Sequence, residues 1–126
     1  MEAESNDTGM RVRREVLGDA HVDRAVAASD EFTADFQDLI TRYAWGSVWA
    51  RPGLDRRTRS CVTLGLLAAL GCEEEYQMHL GAAARNGVTR EEISEVLLHV
   101  AVYAGVPRAN RAFSLAQAAF EAVQPG

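Results

Sequence analysis

Apolar residues in this chain return at intervals of three and four, in runs closed by glycine or proline, and no stretch of strand length alternates apolar with polar. A half-buried strand needs a period of two, whereas one face of a helix needs a period near 3.6. The sequence therefore specifies an all-α bundle of about six or seven helices with short connections, and it contains no internal repeat. The first stretch, 1–9, is small, polar and acidic with no apolar period, and is expected to be a disordered leader. A single domain over 10–126 is expected to follow it, long enough to bury a core without disulfides.

The helices can be placed from their stops. Val12, Val16 and Leu17, then Val22, Ala25 and Val26, predict two helical pieces broken at Gly18, with Asp19 as a candidate cap for the second. Ser29 or Asp30 is a candidate N-cap for a helix carrying Phe32, Phe36, Leu39, Ile40 and Tyr43, which runs on until Gly46 and Pro52-Gly53. Asp55 precedes a segment from Arg56 to Leu70 whose second half is apolar on every side, as in a helix at the middle of a bundle. A helix from Glu73 to Arg85 closes at Asn86-Gly87. Thr89 with Glu92 is a capping-box start for a helix to Tyr103, Gly105 ends it, and Pro107 suits the first turn of a last helix through Val123.

Composition narrows the function. The formal net charge is −5 and no basic stripe is present, which argues against nucleic acid or an anionic membrane as partner. The longest largely apolar run, Cys61 to Gly71, is too short for the ~20 residues of a membrane helix, and no export signal opens the chain. Two cysteines without paired spacing, Cys61 and Cys72, fit a reducing cytoplasm and read best as buried structural thiols. The three histidines, His21, His79 and His99, form no pair one helical turn apart, so no metal site is expected.

One helix face carries chemistry. At about 100° per residue, Cys72, Glu75 and His79 lie within roughly 60° of one another, with Tyr76 beside them. A thiol, a carboxylate and an imidazole among core residues are expensive to bury unless they pair or meet a substrate. Glu75, four residues before His79, can fix the imidazole tautomer and prepare an acid–base group; the bland alternative is an exposed surface pair. A Cys72–His79 nucleophile would have to bridge two turns, about 10 Å of rise. A second concentration, Arg51, Arg56, Arg57 and Arg59 around a helix start, makes either an anion site for a small acidic substrate or a solvated salt-bridged surface. Tyr43, Trp45 and Trp49 either line a pocket or serve packing between subunits.

Taken together, Arg42-Tyr43-Ala44-Trp45-Gly46, Trp49-Ala50-Arg51-Pro52-Gly53-Leu54-Asp55, Arg57-Thr58-Arg59-Ser60, His79, Asn86-Gly87-Val88-Thr89, Glu91-Glu92-Ile93 and Val102-Tyr103-Ala104-Gly105-Val106-Pro107 with Asn110 resemble the γ-carboxymuconolactone decarboxylase family. The resemblance runs from about Phe32 to Val123. It implies the helical fold shared with AhpD-like alkylhydroperoxidases, assembled as a ring-shaped homo-oligomer, a trimer or hexamer. It also implies cofactor-independent conversion of 4-carboxymuconolactone to 3-oxoadipate enol-lactone and CO₂. The hydroperoxidase branch uses Cys-x-x-Cys before its histidine; here Cys72 takes the first position and Glu75 the second, which disfavours disulfide-based peroxide reduction. In the decarboxylase branch, Glu75 and His79 match the expected Glu-x-x-x-His. The chain departs from that branch at Cys72, Gly81 and Arg85.

For that reaction the chemistry leads us to expect that His79 donates a proton, held and tuned by Glu75, that Arg51, Arg59 and more weakly Arg57 position carboxylates, and that Tyr76 or Asn110 hydrogen-bonds the lactone. The competing expectations are a peroxidase-like protein using Cys72 with an external thiol, action on a different lactone or acid, and a non-catalytic oligomeric scaffold.

Overall fold

A computed structural model of the protein describes residues 2–123. Among the described residues every regular element is helical. There are seven α-helices, α1 Glu2–Leu17, α2 Asp19–Ala28, α3 Ala34–Ile40, α4 Arg56–Leu70, α5 Glu73–Arg85, α6 Arg90–Ala104 and α7 Val106–Val123, with a π-helical segment Thr41–Trp49 continuing α3. The described chain divides between Arg56 and Arg57 into two compact units. No described helix is long and apolar enough to cross a membrane.

In the first unit, α1 and α2 meet at Gly18, whose φ of 92° is open to glycine and strained for other residues. Val12, Val16, Leu17 and Val22 form the buried apolar face, joined by Trp45 from the π-helical segment. Of the stretch expected as a leader, Met1 lies outside the described residues, and residues 2–9 are the first turns of α1. These turns are held by contacts that periodicity does not register. Asn6 donates to a carboxylate oxygen of Asp38 at 2.6 Å, and Gly9 is buried so close to the Thr41 carbonyl that a Cβ there would overlap it.

The helix expected from Phe32 onward is present in altered form. Asp30 closes the turn before it, its carboxylate accepting from the Phe32 and Thr33 amides at 3.0 and 3.1 Å. Beyond Ile40 the backbone widens by one residue per turn, and hydroxyls follow it: Thr41 donates to the Gln37 carbonyl and Ser47 to the Arg42 carbonyl. Arg13 is buried in this unit, donating to Thr41 Oγ1 at 3.3 Å and Gln37 Oε1 at 3.2 Å; burial lowers its pKa from the usual arginine value, with Arg14 adding a smaller effect in the same sense.

The second unit gathers one core from four helices: Leu64 and Ala68 of α4, Tyr76, Leu80 and Ala83 of α5, Ile93, Leu97 and Val100 of α6, and Ala109, Ala112 and Ala116 of α7. Alanines on α7 allow that helix to approach closely. α4 differs from expectation in burying one face only. Leu64 is fully buried, whereas Val62, Leu66 and Leu70, on the opposite side at four-residue spacing, are exposed. Connections match their glycine signals, with Gly71, Gly87 and Gly105 at φ of 75°, 89° and 105°.

Candidate active site

α5 carries the imidazole, and its boundaries explain why. Cys72 stands at its N-cap, and Glu73, Glu74 and Glu75 fill the first turn, where carboxylates favour the positive end of the helix dipole. At the other end, Asn86 is the C-cap, its amide bonded to the Ala82 carbonyl at 3.0 Å, and the Val88 amide returns to Ala83 at 2.9 Å across Gly87. Between these stops the helix turns Tyr76, His79, Leu80 and Ala83 inward. His79 is 8% exposed, so its imidazole sits where water competes weakly with a bound reactant.

Glu75 lies one turn before His79 on the same helix, and its carboxylate is in solvent. The expected pair thus spans the boundary between surface and core. The Tyr76 side chain is 1% exposed and its hydroxyl donates to the Ala112 carbonyl of α7 at 2.9 Å, so it braces α5 against α7. Burial pushes its pKa up to about 12.

The arginines of the α4 start take separate roles. Arg57 Nε donates to the Gly87 carbonyl at 3.3 Å and the guanidinium ion-pairs with Glu92, which ties α4 to the α5–α6 turn. Arg59 is half-buried one turn before Thr63, whose hydroxyl donates to the Arg59 carbonyl at 2.8 Å. Arg51 is exposed and belongs to the first unit, and Asn110 is exposed on α7. Sequence reasoning missed Ser60. It is 1% exposed and accepts from Asn86 Nδ2 at 3.1 Å, and its place four residues before Leu64 on the buried face of α4 was a usable signal.

Cys61 and Cys72 are both half-buried free thiols, Cys61 within α4 and Cys72 at the α5 cap. Among the described residues no group of three or more His, Cys, Asp or Glu side chains is arranged to hold a metal ion. What α5 offers chemically is a buried proton carrier with an exposed carboxylate one turn before it on the same helix.

The family model for the carboxymuconolactone decarboxylase family matches residues 34–118, which takes in every candidate residue named above. The chain is 50% identical over 113 residues, 90% of its length and 84% of the relative's, to a 4-carboxymuconolactone decarboxylase of Acinetobacter baylyi. It is 46% identical over 111 residues, 88% of its length and 78% of the relative's, to the nitrosuccinic acid decarboxylase npaB of Metarhizium robertsii. A shorter 4-carboxymuconolactone decarboxylase sequence of Pseudomonas putida is 53% identical over 45 residues, 36% of this chain and 94% of that relative. The chain belongs to the carboxymuconolactone decarboxylase family.

Proposed function

We propose that the protein is a 4-carboxymuconolactone decarboxylase, a carboxy-lyase that releases CO₂ and leaves 3-oxoadipate enol-lactone, in the breakdown of aromatic acids through protocatechuate. The observation that carries this reading is the 50% identity to the Acinetobacter baylyi enzyme along 90% of the chain. The burial of His79 on α5 supports it chemically.

The reaction needs no organic cofactor because the substrate is its own electron sink. The bond to the departing carboxylate breaks, its electron pair enters the system conjugated to the lactone carbonyl, and CO₂ leaves. His79 then gives its proton to carbon and is reprotonated from water. Glu75 orients the imidazole once substrate or a neighbouring copy covers its carboxylate. Arg59 holds a substrate carboxylate, Arg57 contributes from its bridge to Gly87, and Asn110 donates to the lactone oxygen.

In this reading the enzyme works in the cytoplasm as a ring-shaped homo-oligomer, a trimer or hexamer, with the lactone as its partner and neither nucleic acid nor membrane. Free thiols are in keeping with the first point. The exposed stripe of Val62, Leu66 and Leu70 on α4 is in keeping with the second, since a contiguous apolar face calls for a cover.

The 46% identity to a nitrosuccinic acid decarboxylase favours a second reading, the same framework acting on a different acid. Steady-state kinetics on both substrates separates them. The first reading predicts kcat/KM at least about tenfold higher on 4-carboxymuconolactone than on nitrosuccinate, a difference one charge-assisted contact can supply. The inverse ratio establishes the second reading, and no turnover of either substrate by folded protein contradicts both.

A further inference from the structure

A pocket whose lining includes Tyr76 but neither His79 nor Glu75 opens among α4, α5 and α7, with a volume of about 200 Å³. Leu67, Ala68, Ala112 and Leu115 form its apolar wall, and Glu73, Arg108 and Arg111 stand at its polar side. The two arginines are three residues apart in the first turns of α7, so they share a side of that helix. Arg111 is committed: its Nε and Nη2 donate to the two carboxylate oxygens of Glu73 at 3.1 and 2.9 Å. Arg108 donates no hydrogen bond among the described residues, yet its guanidinium lies over Gly71, where a Cβ would overlap it. The first turn of α5, which also reaches this pocket through Glu73, has no side-chain cap on its amides. One guanidinium near Glu73 that donates no hydrogen bond among the described residues, one guanidinium held by the Glu73 carboxylate, and an uncapped helix start thus surround the mouth of a small apolar cavity.

We propose that this pocket binds a compact organic acid, a carboxylate on an apolar ring, with Arg108 and Arg111 taking the carboxylate and Leu67, Ala112 and Leu115 enclosing the ring. Size sets the class. An apolar cavity of roughly 150 Å³ holds benzene, so the present volume suits one ring with a single carboxylate. The charge count sets the sign: two guanidinium groups face one carboxylate, and an incoming anion neutralises the excess. Glu73 is the built-in competitor, occupying Arg111 from the rim. The low carboxyl pKa of Glu73, caused first by its hydrogen bond to Arg111 and further by the Arg111 and Arg108 charges, fits that arrangement.

Titration of the full chain with benzoate at fixed ionic strength, followed by calorimetry and amide chemical shifts, tests the proposal. Saturable binding is expected, with the largest shifts in 71–73 and 107–112. Arg108→Ala, at an exposed position, is expected to weaken it about tenfold or more, as loss of a charge-assisted contact does. Benzyl alcohol, the neutral counterpart, is expected not to bind, Glu73→Gln to bind benzoate severalfold more tightly, and His79→Ala to bind it as the wild type does. No saturable binding, or equal affinity in wild type and Arg108→Ala, overturns the proposal. Loss of binding in His79→Ala with Arg108→Ala unaffected also overturns it, because the acid then sits at the proposed catalytic face. Failure of the decarboxylase assay leaves this result untouched.

Discussion

The side-chain amide of Asn86 donates to the hydroxyl of Ser60 across 3.1 Å, joining the C-cap of α5 to the second turn of α4 within the same unit. Ser60 is almost wholly buried, so this contact answers a polar group that water cannot reach. Asn86→Ala strands the hydroxyl and is expected to lower stability by about 1–3 kcal/mol in urea unfolding. Ser60→Ala combined with Asn86→Ala removes both partners and is expected to recover part of that loss. A double variant less stable than the sum of the single losses would contradict the assigned contact.

Tyr76 makes stability sensitive to alkali. Its folded pKa is raised to about 12 from an ordinary 10.0, so the folded state keeps a proton that the unfolded state gives up. The stabilisation is fully present below pH 10.0 and is lost as pH rises from there through about 12. Tyr76→Phe is expected to remove this dependence and to cost about 1 kcal/mol at neutral pH through the lost bond to Ala112. Unfolding midpoints measured across that pH range check it; an unchanged alkaline limb in Tyr76→Phe would assign the effect elsewhere.

Glu73 and Arg111 form an exposed bidentate pair whose signature is titration rather than stability. The Arg111 hydrogen bond holds the Glu73 carboxyl below its ordinary range. The pair's support is therefore present above the ordinary carboxylate pKa and fades as pH falls through the depressed one. Arg111→Ala is expected to move the Glu73 side-chain carbon titration upward, with little change in unfolding midpoint at neutral pH. A titration that stays put would rule out the pair in solution.

Thr89 and Glu92 close a reciprocal capping box at the start of α6, with Glu92 N to Thr89 Oγ1 at 3.1 Å and Thr89 N to Glu92 Oε1 at 2.9 Å. Thr89→Ala is expected to cost about 1 kcal/mol. Thr89→Ser is expected to cost little, because the hydroxyl remains. Thermal unfolding of the two variants checks this, and an equal loss in both would mean that the methyl group, not the cap, matters.

Much of this organisation is legible in the residues because the devices are local. Gly18, Gly71, Gly87 and Gly105 mark breaks that need no distant contact to be read, and the Thr89–Glu92 box announces α6 by itself. The burial of His79 follows from the face it shares with Leu80 and Ala83. What stayed hidden depends on partners far along the chain. The first turns of α1 are polar and carry no period, yet Asn6 finds Asp38 and Gly9 fits against Thr41. The π-helical widening after Ile40 has the same apolar spacing as an α-helix. α4, whose second half is apolar on every side, reads as central, whereas Val62, Leu66 and Leu70 are exposed. The roles of Tyr76, Arg57 and Arg111 depend on Ala112, Gly87 and Glu73, between 30 and 38 residues away.

The central claim is that His79 delivers the proton that completes decarboxylation. It is tested most directly by CO₂ release from freshly generated 4-carboxymuconolactone, comparing wild type with His79→Ala of matched helicity and unfolding midpoint. Loss of a positioned general acid is expected to lower kcat by about 10²–10⁴. Glu75→Gln is expected to give a smaller loss with a displaced pH optimum. Wild-type turnover that persists at full kcat in folded His79→Ala would contradict the assignment.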